Sequence, residues 1–336
     1  MIQIEEIKSM LNEQQYDFLR SNEYLGKNVT LLTLGGSHAY GTAVENSDID
    51  IRGIALGLPE EIISGLDFEQ VINEETDTTI YSMNKFVQLA SGSNPNVIEL
   101  LGCKPEQYLY LSKTGQELVN NRKMFLSRKC KHSFGGYATQ QLRRLQNALA
   151  RDNYPEKEKE QHILGSMQNT MNTIFEEYNS QVHLYIGDED KIRIKFRSEF
   201  DQPVREINSL LSQLTNIVRD YEKLNHRNNK KDDFHLNKHA MHLIRLLYMG
   251  IDIFEKEEII TYREAEHDLL MKIRNGFFQN RDGGYHPVFF EMLNDLQERF
   301  DYAAENTSLP EKPDDNRIKE FMLEVNKNIV REYVGG

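Results

Sequence analysis

Two aspartates two residues apart, Asp48 and Asp50, open an apolar run just after a glycine turn, and this arrangement most limits how the chain can fold. Residues Asn28 to Leu58 read NVTLLTLGGSHAYGTAVENSDIDIRGIALGL. Val29 to Leu34 predicts a buried strand, Gly35 to Ser37 a turn, and Ile49 to Leu56 a second strand that begins at the aspartates. Strand side chains alternate faces, so Asp48, Asp50 and Arg52 share one face while Ile49 and Ile51 point to the core. Neighbouring carboxylates repel each other and resist dehydration. A cation between them relieves both costs. Hard oxygen ligands suit Mg2+ or Mn2+, which also take water and substrate phosphates as ligands. Arg52 either touches a phosphate or makes an ion pair with Asp48 or Asp50; its type allows both.

The glycine turn supplies the other half of a phosphate site. Glycine lets the backbone approach a ligand closely, and a helix beginning there offers free N–H groups. Ser37 adds a hydroxyl. Gly35, Gly36 and Gly41 do not fit G-x-G-x-x-G, and no Gly-Lys-Ser/Thr follows, so neither a dinucleotide site nor a Walker A loop is indicated.

Taken together, Gly36-Ser37, Gly41 and Ser47-Asp48-Ile49-Asp50 resemble the signature of the DNA polymerase beta-like nucleotidyltransferase superfamily. The segment GSHAYGTAVENSDIDIRG is similar to stand-alone nucleotidyltransferases of bacteria and phages. The likeness continues in SNPNVIELL (Ser93 to Leu101), SFGGYATQQLRRL (Ser133 to Leu145), KHAMHLIRLLYMG (Lys238 to Gly250) and LLMKIRNG (Leu269 to Gly276), and so covers most of the chain. The resemblance implies transfer of a nucleoside monophosphate from an NTP to a hydroxyl, with release of pyrophosphate. It also implies Gly35, Gly36 and Ser37 around the phosphates, and Mg2+ or Mn2+ on Asp48, Asp50 and a third carboxylate. Asp77, at the head of the strand-like DTTIYS, is the expected third, with Glu75 as the alternative because register is not fixed by sequence. The acceptor is open between an RNA 3′ end, tRNA-sized RNA included, a protein and a small molecule. The competing reading is a nucleotide-sensing or partner-binding protein of the same fold, which retention of both aspartates weighs against. A phosphohydrolase would need a His-Asp pattern that the chain lacks.

Composition narrows the setting. With 39% hydrophobic residues, the 336-residue chain can bury a core. No apolar run reaches membrane-spanning length, and MIQIEEIKSM lacks the basic start and apolar centre of a signal peptide. Cys103 and Cys130 form no C-x-x-C pair, so free thiols in a reducing cytoplasm are expected. A net charge of −13 argues against a non-specific nucleic-acid binder, although a local basic groove could still hold RNA.

The expected fold is α+β: a small mixed-sheet domain over residues 1–111, then a larger, mainly helical domain over 112–336. Helical periodicity marks 114–126, 134–151, 160–178, 204–226, 236–250, 263–274, 287–305 and 315–332. Val182 to Phe196 alternates on both sides of Gly187-Asp188 and predicts a β-hairpin. Polar stretches at 152–161 and 228–233 read as connections. Lys238, His242 and Arg245 fall on one helix face opposite Ala240, Leu243, Ile244 and Leu247. With the resemblance, they become candidate triphosphate contacts; otherwise they form a solvated stripe. His239 and His242 lack further ligands at zinc spacing. The basic segment Arg122 to His132, with Tyr137, Arg143 and Arg144, could guide RNA, but a solvated loop is the plainer reading.

Overall fold

The computed structural model describes residues 4–66, 68–153, 171–172, 174, 181–186, 192–197, 201, 207, 210–215, 233–280 and 284–335. The helices expected at 160–178 and 204–226, most of both polar connections and the turn at Gly187-Asp188 fall largely outside these residues. Two compact units form. The first joins Met1–Leu145, Phe234–Gln279 and Tyr285–Gly336; the second comprises Gln146–Asp233 and Asn280–Gly284. The expected boundary at 111/112 coincides with no edge of either unit.

The first unit begins with two short helices, α1 (Ile4–Met10) and α2 (Phe18–Ser21). Strand β1 (Val29–Leu34) follows, and all six of its residues are buried, the Thr30 and Thr33 hydroxyls donating to the Ile54 and Gln107 carbonyls. It lies inside a five-stranded mixed sheet in the order β3-β4-β2-β1-β5. After β1 come α3 (Gly36–Tyr40), β2 (Ile51–Ala55), α4 (Pro59–Ser64), β3 (Gln70–Asn73), β4 (Thr78–Ser82), α5 (Met83–Ser91), α6 (Pro95–Ile98) and β5 (Tyr108–Leu111). Leu31, Ile51, Ile54 and Ile80 are wholly buried in the sheet.

Helices complete the unit: α7 (Lys113–Asn120), the start of α8 (Cys130–Asn153), α9 (Asp233–Lys256), α10 (His267–Arg274), α11 (Pro287–Asn306) and α12 (Asp315–Gly335). The second unit contains β6 (Val182–Ile186) and β7 (Ile192–Phe196), antiparallel as the alternation predicted. The fold is therefore α+β. Among the described residues no helix is long and apolar enough to cross a membrane. Cys103 and Cys130 are free thiols.

Strand register brings the motif residues together. β1 and β2 are antiparallel with Leu34 opposite Ile51, while β2 and β4 are parallel with Ile51 opposite Thr78. The end of β1 and the starts of β2 and β4 therefore meet at one end of the sheet. Both strands begin later than periodicity suggested. Asp48 and Asp50 precede β2, and Asp77 precedes β4, where its φ of +43° ends the extended backbone.

A buried polar network ties α9 to this end of the sheet. Arg245 donates from Nη1 to Glu99 Oε2 at 3.1 Å, and Tyr40 donates to Glu99 Oε1 at 2.7 Å. The Arg245 guanidinium also lies 3.5 Å from the Tyr40 ring centroid. All three residues are buried. Removing one partner of such a pair strands a charge away from water. Arg245→Ala is expected to destabilise the chain by about 3–5 kcal/mol. Urea unfolding followed by circular dichroism measures this, and a loss below about 1 kcal/mol, the scale of a surface pair, would contradict a buried structural role.

Candidate active site

Crowding at the glycine turn fixes its residue types. Gly35 donates its backbone N–H to the Asp50 carbonyl at 2.8 Å, which brings the turn against the aspartate. A Cβ on Gly36 would lie 1.7 Å from Asp50 Oδ2, and Gly36 has φ of +52°. Only glycine satisfies both conditions. Ser37 follows in α3 with 8% of its surface exposed, so it is nearly enclosed. Gly41 ends α3 at φ of +76°, with the Tyr262 ring where a side chain would go.

The carboxylates arrange differently from the expected triad. Asp50 and Asp77 lie close enough to share a hydrogen bond. Burial first, and then the bond to Asp77, push the Asp50 carboxyl up to about 7. The same bond, and then Arg52, hold Asp77 below its ordinary value despite partial burial. Arg52 Nη2 is 2.9 Å from Asp77 Oδ1 and 3.5 Å from Asp50 Oδ1. Arg52 Nη1 also donates to the Asp77 carbonyl, so one guanidinium grips both backbone and side chain of that residue. Arg52 is thus an ion-pair partner of Asp50 and Asp77. Asp48 stands apart, exposed in the turn before β2. It opens onto a groove of about 490 Å3 that is also lined by Tyr16, Glu74, Glu75 and Asp77. Among the described residues, no three His, Cys, Asp or Glu side chains converge on one metal position. Asp48, Asp50 and Asp77 therefore do not form a ready-made cage, because Asp48 turns outward and Arg52 occupies the space beside the other two. The Asp50–Asp77 pair does fit one divalent cation, with water and phosphate oxygens as the remaining ligands.

Lys238, His242 and Arg245 share a face of α9 but have three different environments. Lys238 is exposed, and its charge lowers the pKa of both Asp50 and Asp77. His242 packs edge-on against Tyr40 at 5.6 Å, and burial, followed by Arg245, keeps its imidazole neutral well below the ordinary histidine value. Arg245 is drawn into the core by Glu99, as described above. Ala240, Leu243, Ile244 and Leu247 are buried on the opposite face.

Periodicity gave no weight to Arg274, at the end of α10. It is 3% exposed and donates from Nη2 to Ser47 Oγ at 3.2 Å. Its Nε and Nη1 are buried without a hydrogen-bond partner, and it makes no ion pair among the described residues. His38 sits nearby in α3 with Nε2 likewise unpartnered; burial, and to a lesser degree Arg274, lower its pKa. An arginine ending an amphipathic helix ordinarily faces solvent, so its position in LLMKIRNG was the only available signal.

The basic segment Arg122 to His132 is largely neutralised. Arg128 contacts Glu311 at 3.0 Å and the Leu309 and Thr307 carbonyls. Lys131 pairs with Glu305 and Asp301, and Lys123 with Glu257. These cations join helices rather than present a free basic surface. The side chains of Arg143 and Arg144 lie outside the described residues.

The shared proton gives a pH signature. Because the folded-state Asp50 pKa is raised, its contribution favours the folded state in acid and is lost as pH rises from the ordinary carboxylate range through about 7. Asp77, being lowered, acts in the opposite sense, but below the ordinary carboxylate range. In metal-free buffer, wild-type melting temperature is expected to fall across that upper window, and Asp50→Asn is expected to flatten the fall. Identical profiles for the two proteins would show that no proton is shared.

No curated protein and no solved structure matches the chain. One family model does, over residues 5–324, and its description is RlaP, RNA repair pathway DNA polymerase beta family. The chain that places this glycine turn against this aspartate pair belongs to that polymerase beta-like nucleotidyltransferase family.

Proposed function

We propose that the protein transfers a nucleoside monophosphate from an NTP to a hydroxyl of RNA. The observation that carries this reading is the Asp50–Asp77 pair beside the Gly35–Gly36 turn, with the exposed ammonium of Lys238 within electrostatic reach. RNA is favoured over protein or small molecules as acceptor by the family's description.

In the reaction, the acceptor oxygen bonds to the α-phosphorus and the bond from that phosphorus to its bridging oxygen breaks. Pyrophosphate leaves, and the hydroxyl proton passes to solvent. Asp50 and Asp77 would hold Mg2+ or Mn2+, which when bound acidifies the attacking hydroxyl and offsets charge on the triphosphate. Arg52 keeps Asp77 in its left-handed conformation and so fixes the second carboxylate. Gly35 and Gly36 allow the phosphates close to the backbone, and Ser37 completes that turn. Lys238 offers a mobile charge to the phosphates. Asp48, which lines the adjoining groove with Asp77, would supply a further carboxylate to the metal through its water ligands. His242 and Arg245 act by positioning Tyr40 and α9. Arg274 supplies a second cation to the phosphates. A buried guanidinium without a counter-charge is unfavourable by several kcal/mol, and a ligand anion relieves this.

Incubation with each α-phosphate-labelled NTP, Mg2+ or Mn2+ and cellular RNA tests the reading directly. Asp50→Asn and Asp77→Asn are expected to retain native circular dichroism and to reduce labelling by several orders of magnitude. Lys238→Ala is expected to raise KM for NTP with little change in kcat. Full labelling by either aspartate variant would remove the assignment.

Arg274→Met separates ligand binding from stability. Removing a buried, unpaired charge while keeping volume is expected to leave the melting temperature unchanged or raise it. Losing a charge-assisted contact is expected to weaken NTP binding by about tenfold or more. A variant that melts lower yet binds NTP like wild type would make Arg274 purely structural.

A further inference from the structure

We propose that the β6–β7 ribbon of the second unit is a docking face for single-stranded RNA. The inference rests on the reading of RNA as acceptor and names the surface that would hold it.

Antiparallel register fixes which side chains share a face. His183 lies opposite Lys195 and Tyr185 opposite Arg193. Arg197 continues the same row, its N–H donating to the Gln181 carbonyl at 2.9 Å. Residues opposite one another, and those two apart, point the same way. One face therefore carries His183, Tyr185, Arg193, Lys195 and Arg197, while Val182, Ile194 and Phe196 belong to the other. Val182 is wholly buried and anchors the ribbon.

The cationic face is exposed. Tyr185 retains 39% of its surface and stacks on His183, with centroids 6.0 Å apart and planes 14° from parallel. Arg193, Lys195 and Arg197 are exposed and make no side-chain hydrogen bond or ion pair among the described residues. In the segment Arg122 to His132, by contrast, Lys123, Arg128 and Lys131 are paired with Glu257, Glu311, Glu305 and Asp301. In a chain of net charge −13, three free cations in one row beside stacked rings form a local exception. The acids Asp188, Glu189 and Asp190 fall in the connecting sequence, outside the described residues and outside the paired positions of the face. Cations at strand spacing meet successive phosphates, and an exposed ring offers a stacking surface for an unpaired base. A duplex hides its base faces, so the aromatic pair selects a single strand.

Fluorescence anisotropy of the full chain with an end-labelled, unstructured RNA of about 12 nucleotides tests this. Replacing the three cations together, Arg193→Gln, Lys195→Gln and Arg197→Gln, is expected to reduce the slope of log affinity against log salt by about 2. Tyr185→Ala is expected to weaken binding about tenfold, and Tyr185→Phe to retain it. NTP affinity and melting temperature should match wild type in all of these variants. If wild type labels RNA while the ribbon variants bind and label it equally well, the docking face is overturned and the acceptor reading stands. If wild type labels only protein or small-molecule hydroxyls and binds no RNA, both fall. Duplex binding as tight as single-strand binding would also overturn the proposal.

Discussion

Everything at the candidate site depends on strand register. β2 runs antiparallel to β1 and parallel to β4, so the residue before β2 and the residue before β4 are neighbours. Those residues are Asp50 and Asp77, whose carboxyls lie within hydrogen-bond reach of each other. Arg52, one strand residue further on, reaches back to both. The close approach of Gly36 then closes the remaining side of Asp50. A slip of one residue in either pairing would turn the carboxylates to opposite faces and dismantle the site.

Much of this was legible because alternation and glycine chemistry are local. Val29 to Leu34 could only be a buried strand, and the hairpin of Val182 to Phe196 needed only its period. Asp77 was reachable because DTTIYS reads as a strand, although its positive φ was not. The exposure of Asp48 was not legible, for a physical reason. The alternation that should have aligned it with Asp50 begins only at Ile51, so its side chain follows turn geometry. Helical periodicity likewise put Lys238, His242 and Arg245 on one face without showing that Glu99, far away in sequence, would bury the last of them. Arg274 was invisible for the same reason: its partners are set by tertiary packing.

Charge is unevenly distributed across the molecule. The surface excess is acidic, yet the groups near the aspartate pair include several cations in distinct states: Arg52 paired, Lys238 exposed, and Arg274 buried without a counter-ion among the described residues. Net charge alone therefore says little about anion recognition here. Among the described residues, the helical cations that are buried or cross between helices, such as Arg245 and Lys131, are held by acids.

The first unit is discontinuous in the chain, and this bears on its birth at the ribosome. Its sheet is complete by Leu111, but the partner that neutralises Glu99 is Arg245, and the carbonyls that hold Arg128 come from Thr307 and Leu309. Synthesis at about 5–20 residues per second leaves an interval of several seconds or more between Glu99 and Arg245. Throughout it, the nascent sheet carries a carboxylate without the cation that offsets its burial. The larger segment of the second unit, Gln146–Asp233, is translated within that interval. The vectorial order of synthesis thus delays neutralisation of Glu99 until Arg245 has emerged, and a product truncated before Arg245 lacks the cation that offsets that carboxylate's burial.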